Sequence, residues 1–361
     1  MGLYLHDICP LWVDCCSMIV QIGYMKDIPS VSAQIDEEVI NKIIDKNFSK
    51  LAPTYYSIIN NWLIQAYGVF HNIDKFIILI YLINRDFIFF RKNGIIVDFD
   101  TFFNSSKLEI EKVNISDISK DLQIPKESAR RKVQELEKKG IIKKIRKKVY
   151  LDRDLIKSVQ PIDTLKAVCV LLNKFNQILV KEKITNVYFE TNEIAESMKK
   201  NFSFAAYQFN KFLFGFTNRW RKELGDLETF CIGQVVLLNS VEVKDFRIKD
   251  LSRKLHNDKM RGADKIGVNA MSISEITGIP RPTVVRKLKY LVNNDFLITN
   301  KKKLTSLALN EKSFKRSQEL QDMNIVDLSK FIYRVFNQMK VINSSFSDKD
   351  DKFIPSYLRS F

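Results

Sequence analysis

The sequence predicts a mainly α-helical protein with small β-hairpins, built from two related halves. Apolar residues recur every three or four positions in several segments, which is the period of an amphipathic helix. Short apolar stretches flank Lys-rich tips near residues 146–148 and 301–303, a pattern typical of hairpins. The stretches 118–151 and 273–306 also repeat one pattern at an offset of 155 positions. A fixed offset of this kind indicates an internal duplication.

The first stretch predicts a short helix, a tight turn and a second helix. Pro125 stands where a helix tolerates proline, at or just before its first turn. Ala129, Val133 and Leu136 then follow at spacings of four and three, an apolar stripe that must face a core. At about 100° per residue, Arg131 points away from that stripe. Two short strands follow, joined by a turn rich in Lys and Arg.

The second stretch repeats these features. Val284, Leu288 and Leu291 form the inward stripe, and Arg286 points outward. Asp295 stands where the first copy ends its helix with a glycine. Aspartate enters left-handed conformations more readily than most residues, so it still ends the helix. Both stretches therefore predict a helix-turn-helix followed by a small wing.

Positive charge is concentrated in these two places. Residues 126–148 contain 11 Lys or Arg and 3 Asp or Glu, and residues 281–303 contain 7 and 1. The net charges of +8 and +6 account for +14 of the chain's +16. A packing or protein-interaction module is the alternative for such a unit. Concentrated positive charge on a docking face favours phosphate binding, and therefore nucleic acid.

These motifs resemble a known family. The stretch ISEITGIPRPTVVRKLKYLVNNDFLI resembles the winged helix-turn-helix of bacterial transcriptional regulators of the MarR and IclR kind, and ISKDLQIPKESARRKVQELEKKGII is similar to it. The match covers about 35 residues per copy. The resemblance implies that each second helix enters the major groove of double-stranded DNA and that each wing contacts its backbone or minor groove. The implied DNA contacts are Lys126, Glu127, Ser128, Arg130, Arg131, Gln134, Arg146, Lys147 and Lys148, then Arg281, Thr283, Arg286, Lys287, Lys289, Lys301, Lys302 and Lys303.

We therefore expect a sequence-specific transcriptional regulator that acts as an intramolecular pseudo-dimer. Two second helices related by a pseudo-twofold axis would enter successive major grooves about 34 Å apart. Their outward residues differ, so the site would be an imperfect palindrome. A plasmid- or phage-type replication initiator with tandem winged helices is the alternative. A third hypothesis is a nucleoid-coating or interaction protein without sequence preference.

Signatures of catalysis and of metal binding are missing from the sequence. It has no P-loop, no G-x-G-x-x-G and no nucleophile elbow, and its three histidines are isolated. Its five cysteines form no C-x-x-C pair, which indicates reduced, buried thiols. We expect no enzyme activity, cofactor or metal, although scattered carboxylates that converge on Mg²⁺ in a nuclease stay an open alternative.

The offset of about 155 extends beyond the two basic stretches and predicts the domain organisation. The tetrapeptide Lys-Asn-Phe-Ser occurs twice, 154 positions apart, and two apolar runs also correspond. We predict an N-terminal extension at 1–30, a first repeat at 31–183, a second repeat at 184–342 and a mobile tail at 343–361. The winged helices would span about 75–152 and 228–309.

Other segments connect these units. Residues 84–113 have strand-like aromatic runs, whereas 239–270 is basic and predicts either a disordered insertion or an extra DNA contact. Helices at 164–180 and 325–341 each contain Phe-Asn-Gln and would join the two halves. An aromatic helix at 202–220 would pack in the centre, and a pocket for a small-molecule effector is the alternative role of its rings.

The sequence also bears on location and assembly. The longest apolar run has eight residues, far fewer than the roughly 20 that span a bilayer. The N-terminus lacks a basic leader, and Met25 is an alternative start. We expect a cytoplasmic, nucleoid-associated protein that contacts no membrane and acts as a monomeric pseudo-dimer or a homodimer.

Overall fold

The computed structural model describes residues 34–105, 108–146, 148–241, 250–262, 267–308 and 310–346. The predicted extension at 1–30, the alternative start at Met25 and the tail beyond residue 346 lie outside these ranges.

The first half of the chain contains eight helices and three strands in the described ranges. They are α1 (Glu37–Lys46), α2 (Phe48–Phe70), α3 (Ile73–Lys92), α4 (Phe99–Asn104), β1 (Leu108–Ile110), α5 (Ile115–Leu122), α6 (Lys126–Lys138), β2 (Ile142–Ile145), β3 (Lys148–Leu151), α7 (Arg153–Ser158) and α8 (Ile162–Lys181). The three strands form an antiparallel sheet in the order β1-β3-β2.

The second half adds α9 (Thr191–Lys200), α10 (Phe202–Leu224), α11 (Leu227–Val241), α12 (Arg253–Gly262), α13 (Ala270–Thr277), α14 (Arg281–Asn293), β4 (Leu297–Thr299), β5 (Thr305–Leu307) and α15 (Glu311–Phe346). Strands β4 and β5 form an antiparallel pair in which Leu297 lies opposite Leu307. The prediction of a mainly helical chain with small antiparallel sheets is therefore confirmed.

The order of helices recurs along the chain. Helices α1, α2 and α3 begin 154 positions before α9, α10 and α11, and helices α5 and α6 begin 155 positions before α13 and α14. The recurring tetrapeptide Lys-Asn-Phe-Ser stands at the junctions α1–α2 and α9–α10. At both junctions its asparagine caps one helix and its serine lies at the start of the next.

The serines of this tetrapeptide form equivalent contacts. Ser49 donates its backbone N–H to the carbonyl of Leu251 at 3.1 Å, and its hydroxyl accepts the N–H of Leu251 at 2.8 Å. Ser203 does the same with Val97, at 3.0 and 2.9 Å. Each serine therefore binds the backbone of the opposite half of the chain.

The long helices also pack across the two halves. Helix α2 packs against α8 and α11, whereas α10 packs against α15 and α3. The buried apolar residues form one connected cluster through both halves. The two predicted repeats are consequently interleaved, and each depends on the other for its core.

The recurring Phe-Asn-Gln motif also has a structural role. Asn176 accepts a hydrogen bond from the N–H of Phe189 at 2.7 Å and donates one to the carbonyl of Val187 at 2.9 Å. Asn337 accepts from the N–H of Ile35 at 3.0 Å and donates to its carbonyl at 2.9 Å. The first pair fixes the loop before α9. The second fixes the residues before α1 against the last helix.

The strand-like interpretation of residues 87–90 is wrong, because they continue α3. Phe87 is buried and packs edge-on against Phe202 of α10, with ring centroids 5.9 Å apart. The helix ends at Asn93 and Gly94, where a left-handed glycine stops it. Packing against α10 decides the conformation, and the aromatic composition alone pointed the other way.

The segment 239–270 is not a disordered insertion where the structure describes it. Its residues 253–262 form α12, and Arg253 forms ion pairs with Asp45 at 2.6 Å and with Asp322. His256 packs edge-on against Phe48, with ring centroids 5.2 Å apart. This helix therefore belongs to the core between the two halves.

The aromatic helix predicted at 202–220 is confirmed as central. It corresponds to α10, in which Phe212 and Phe216 are buried. Phe212 stacks on Phe331 of α15, and Phe216 meets Tyr55 of α2 at 6.3 Å. Helix α10 thus connects both halves, and Arg221 near its C-terminal end forms an ion pair with Asp74 of α3.

Candidate nucleic-acid interface

Two regions of the chain each contain two helices joined by a tight turn and followed by an antiparallel pair of strands. We call residues 115–151 the first unit and residues 270–307 the second unit. In each unit a left-handed residue makes the turn, Gln123 with φ 54° in the first and Gly278 with φ 69° in the second. The next helix starts after Pro125 or Pro280. The turns were predicted correctly from the proline positions.

The inner faces of α6 and α14 agree with the predicted stripes. All six predicted inward residues are buried: Ala129, Val133, Leu136, Val284, Leu288 and Leu291. They pack α6 against α3 and α14 against α11. Asp295 has φ 61°, so it adopts the left-handed conformation that its position at the end of α14 requires.

The opposite faces of α6 and α14 carry the residues that were predicted to contact DNA. Most of these side chains are exposed: Lys126, Glu127, Arg130, Arg131, Gln134, Arg281, Arg286 and Lys289. Ser128 and Thr283 are half-buried. Arg130 forms an ion pair with Glu127 at 2.6 Å, one turn away on the same face. The two faces are therefore rich in donors that solvent and ligands can reach.

Arg131 remains accessible although a carboxylate lies nearby. Its side chain is 71% exposed, and its Nε is 4.0 Å from Glu135. Glu135 instead accepts a hydrogen bond from Lys75 of α3, which lowers the pKa of Glu135. The carboxylate of Glu135 thus binds Lys75 of α3, and the N–H groups of the Arg131 guanidinium remain accessible to a ligand.

A buried ion-pair network anchors the inner side of α6. Lys132 lies 3.3 Å from Asp74, and the other carboxylate oxygen of Asp74 accepts from Arg221 at 2.5 Å. Arg221 also donates to the carbonyl of Leu122 at 2.5 Å, at the end of α5. Since Lys132 and Arg221 are both nearly buried, this network holds α6 and its turn against α3 and α10.

The prediction that Lys287 contacts DNA is corrected. Its side chain is only 13% exposed, and its ammonium donates to Asp226 at 2.6 Å and to Thr229 at 3.0 Å. Lys287 stands one helical turn from both Val284 and Leu291, so it lies beside the inward stripe. It anchors α14 to α11, as Lys132 anchors α6 to α3.

The carboxylates that bind the inner lysines of α6 and α14 lie beside one contact between α3 and α11. The N–H of Ile73, at the start of α3, donates to the carboxylate of Glu228 at the start of α11, at 3.0 Å. Burial raises the pKa of Glu228. Asp74 and Asp226, which bind the inner lysines of α6 and α14, lie next to this contact in the sequence. Helices α6 and α14 are therefore bound to the N-terminal ends of α3 and α11, which contact each other.

The hairpin of the first unit is largely paired with carboxylates. Lys148 lies 2.9 Å from Glu109 of β1, and Lys143 lies 2.6 Å from Asp152. Arg146 is exposed at the tip, with φ 57°. Lys147, also predicted to contact DNA, lies outside the described residues. Sequence reasoning missed Glu109 because only the pairing of β1 with β3 brings it to the hairpin.

The hairpin of the second unit has a more accessible positive charge. Its tip residues Lys301–Lys303 are exposed, and none of them forms an ion pair among the described residues. The amide of Asn300 accepts the N–H groups of Lys302 and Leu304 at 2.9 and 3.0 Å, which fixes the tip. On the other side of β5, Val268 forms an antiparallel bridge with Thr305 through two hydrogen bonds of 2.9 Å.

The described ranges contain neither a metal-binding cluster nor a membrane-spanning helix. No three side chains of His, Cys, Asp or Glu there come together in a way that would hold a metal ion. None of the described helices combines the length and apolar content needed to cross a bilayer.

Comparison of the chain with models of known protein families, with curated proteins and with solved structures found no match. Its function must therefore be inferred from its own residues.

Proposed function

We propose that this protein is a sequence-specific double-stranded DNA-binding transcriptional regulator, in which both units act as winged helix-turn-helix domains on one duplex. The observation that carries the proposal is the pair of exposed cationic helix faces, on α6 and α14, whose inner sides are anchored at one junction. Two such faces held by one connected core are suited to simultaneous contact with two major grooves.

An internal duplication with a pseudo-twofold relation accounts for the recurring elements. The serine contacts at Leu251 and Val97 and the asparagine contacts at Ile35 and Phe189 support it, since each recurs in the other half. The chain would thus serve as its own dimer. The shared core fixes the distance between the two outer helices, whereas separate domains would leave it variable.

The outer residues suggest how each unit reads its half-site. The exposed guanidinium groups of Arg131 and Arg286 suit two-bond contacts with guanine or a phosphate. Gln134 in the first unit corresponds to Lys289 in the second, so the preferred half-sites differ. The hairpin lysines bind the phosphate backbone, which adds affinity without sequence preference.

Selection of bound sequences from random duplexes with the full chain tests this function. We expect an imperfect palindrome whose half-sites are about 10 base pairs apart, with a preference of ~10³ or more over random DNA. Equal affinity for random DNA would indicate a coating protein. Enrichment of iterated direct repeats would instead favour a replication initiator with tandem winged helices. Either outcome would contradict the regulator.

A further inference from the structure

A partly open cavity lies beneath the second unit. It has a volume of about 160 Å³ and is bounded by α2, α10, α11, α12 and α15 together with the inner side of the second unit. Phe216, Trp220 and Phe230 form an aromatic wall, in which Trp220 and Phe230 stack at 4.7 Å with an angle of 17°. An engineered cavity of about 150 Å³ holds one benzene molecule, so a single ring fits a space of this size.

Two polar atoms at this cavity lack hydrogen-bond partners among the described residues. They are the amide oxygen Oε1 of Gln234, whose side chain is 4% exposed, and the indole Nε1 of Trp220. One is an acceptor and the other a donor. A buried polar group without a partner costs free energy, and native proteins hold few of them. The pair is thus suited to a ligand that supplies both missing partners.

A second cavity shows that the fold does not require these polar groups. It has a volume of about 100 Å³ and lies among α3, α4, α8 and α10. At the offset of 154, Ile80 takes the place of Gln234 and Ala66 takes the place of Trp220. Apolar residues therefore fill the equivalent positions in the first half, and the polar groups are particular to the cavity under the second unit.

We propose that the cavity under the second unit binds a neutral, planar, one-ring aromatic molecule that carries one hydrogen-bond donor and one acceptor. The donor of the ligand would bind Oε1 of Gln234, and its acceptor would bind Nε1 of Trp220. None of the described residues that line the cavity is Lys, Arg, Asp or Glu, and burial lowers the pKa of His256, which favours its neutral form. An anionic or cationic ligand would therefore bury an unpaired charge, which is strongly unfavourable.

The same cavity lies against the inner side of the second unit. Leu291 of α14, Leu297 of β4 and Leu307 of β5 all line it. A ligand that fits one position of these residues better than another shifts the second unit towards that position. This step rests on the proposed function. The ligand would regulate how the second unit binds its half-site, and it would leave the first unit unaffected.

Calorimetric titration of the full chain without DNA tests the binding site. The probes are benzamide, which has an amide donor and acceptor, toluene, which has neither, and benzoate, which is charged. We expect benzamide to bind at least tenfold more tightly than toluene or benzoate. Gln234→Ile should abolish the preference for benzamide over toluene, since it introduces the residue of the equivalent cavity. Thr164→Val, in that other cavity, is the matched control and should leave the preference unchanged.

Two results would overturn the site: no binding of benzamide to the wild-type chain, or an undiminished preference for it in Gln234→Ile. Trp220→Phe keeps the ring and removes the donor, so a full preference in that variant would also contradict the assignment. Because these titrations contain no DNA, they can succeed even if the selection shows no sequence preference. Footprints with and without benzamide then test regulation, and unchanged protection of the second half-site would overturn it.

Discussion

Ser49 and Ser203 lie 154 positions apart and form the same pair of hydrogen bonds, each with the backbone of the opposite half. Ser49 binds Leu251, and Ser203 binds Val97, through both the N–H and the hydroxyl of the serine. Both serines are nearly buried. Because each bond crosses between halves, the contacts fasten the two halves together, and their loss should weaken the whole molecule.

Ser203→Ala should lower the free energy of unfolding by about 1–2 kcal/mol, because the N–H of Val97 loses its acceptor in a partly buried place. Ser49→Ala should have an effect of similar size through Leu251. Urea unfolding followed by circular dichroism measures both. Ser116→Ala is the control, since Ser116 is exposed, and it should stay within about 0.5 kcal/mol of the wild type. A fall in only one of the serine variants would show that the contacts are not equivalent.

The sequence revealed these contacts only in part. The repeated Lys-Asn-Phe-Ser and Phe-Asn-Gln motifs and their offset were visible in the residues, as were the turns at Pro125 and Pro280. The exchange of partners between halves was not visible, because periodicity shows which side of a helix is buried and not what covers it. The same limit explains the error at Phe87, where packing against Phe202 overrides a strand-like composition.

The candidate interface was predicted more completely on its helices than on its hairpins. Helical spacing alone separates Arg131 and Arg286 from the buried stripes, and both are exposed. Ion pairs formed at long range are not encoded in spacing, so the partners of Lys132 and Lys148 were missed. Counting charges in a sequence window therefore overstated the free positive charge of the first unit.

Arg131→Ala should weaken binding to the selected duplex by ~1–3 kcal/mol and relax the preference at one position of the first half-site. Arg286→Ala should do the same in the second half-site. The physical reason is the loss of a two-donor guanidinium contact to a base or phosphate. Fluorescence anisotropy with the matched duplex and with single-base variants measures affinity and preference together.

Arg85→Ala is the matched control for these arginines. Arg85 lies on α3 and forms an ion pair with Glu111 at 2.6 Å, so its charge is already paired within the protein. Its removal should leave DNA affinity within twofold of the wild type. Wild-type affinity in the double variant Arg131→Ala and Arg286→Ala would contradict the assignment of both outer helices.

Replacing Lys301, Lys302 and Lys303 by alanine should weaken binding to all sequences alike. Each lysine that neutralises a phosphate adds about 0.9 to the slope of log affinity against log salt concentration, so the slope should fall by up to about 3. Lys148→Ala should change it less, because its ammonium already lies 2.9 Å from Glu109. Titrations at several salt concentrations measure both slopes. Equal loss per lysine in the two hairpins would contradict the role of Glu109.

Asp86 should make the stability of the protein depend on pH. It lies on α3, is 7% exposed, and its Oδ2 has no hydrogen-bond partner among the described residues. Burial is the main cause that raises the pKa of Asp86 to about 7, and the charges of Glu111, just after β1, and of Glu109 on β1 add to it. The backbone N–H of Glu111 opposes the shift without cancelling it.

A raised native pKa means that the folded protein holds a proton on Asp86 between about pH 4 and 7, whereas the unfolded chain has lost it. The stability that Asp86 contributes is therefore complete at low pH and declines as the pH rises towards 7. At about 1.4 kcal/mol for each pKa unit, the loss above pH 7 is ~4 kcal/mol.

Asp86→Asn should remove this loss, because the amide stays neutral and resembles the protonated acid. We expect the variant to exceed the free energy of unfolding of the wild type by only ~1 kcal/mol at pH 4.5 and by ~4 kcal/mol at pH 8, as measured by urea unfolding at both values. Asp100→Asn, at an exposed position of α4, controls for the change of net charge. If the gain at pH 8 is no larger than the gain at pH 4.5, Asp86 is already ionised in the folded protein at neutral pH. Its burial beside Glu109 and Glu111 would then carry no cost that depends on pH.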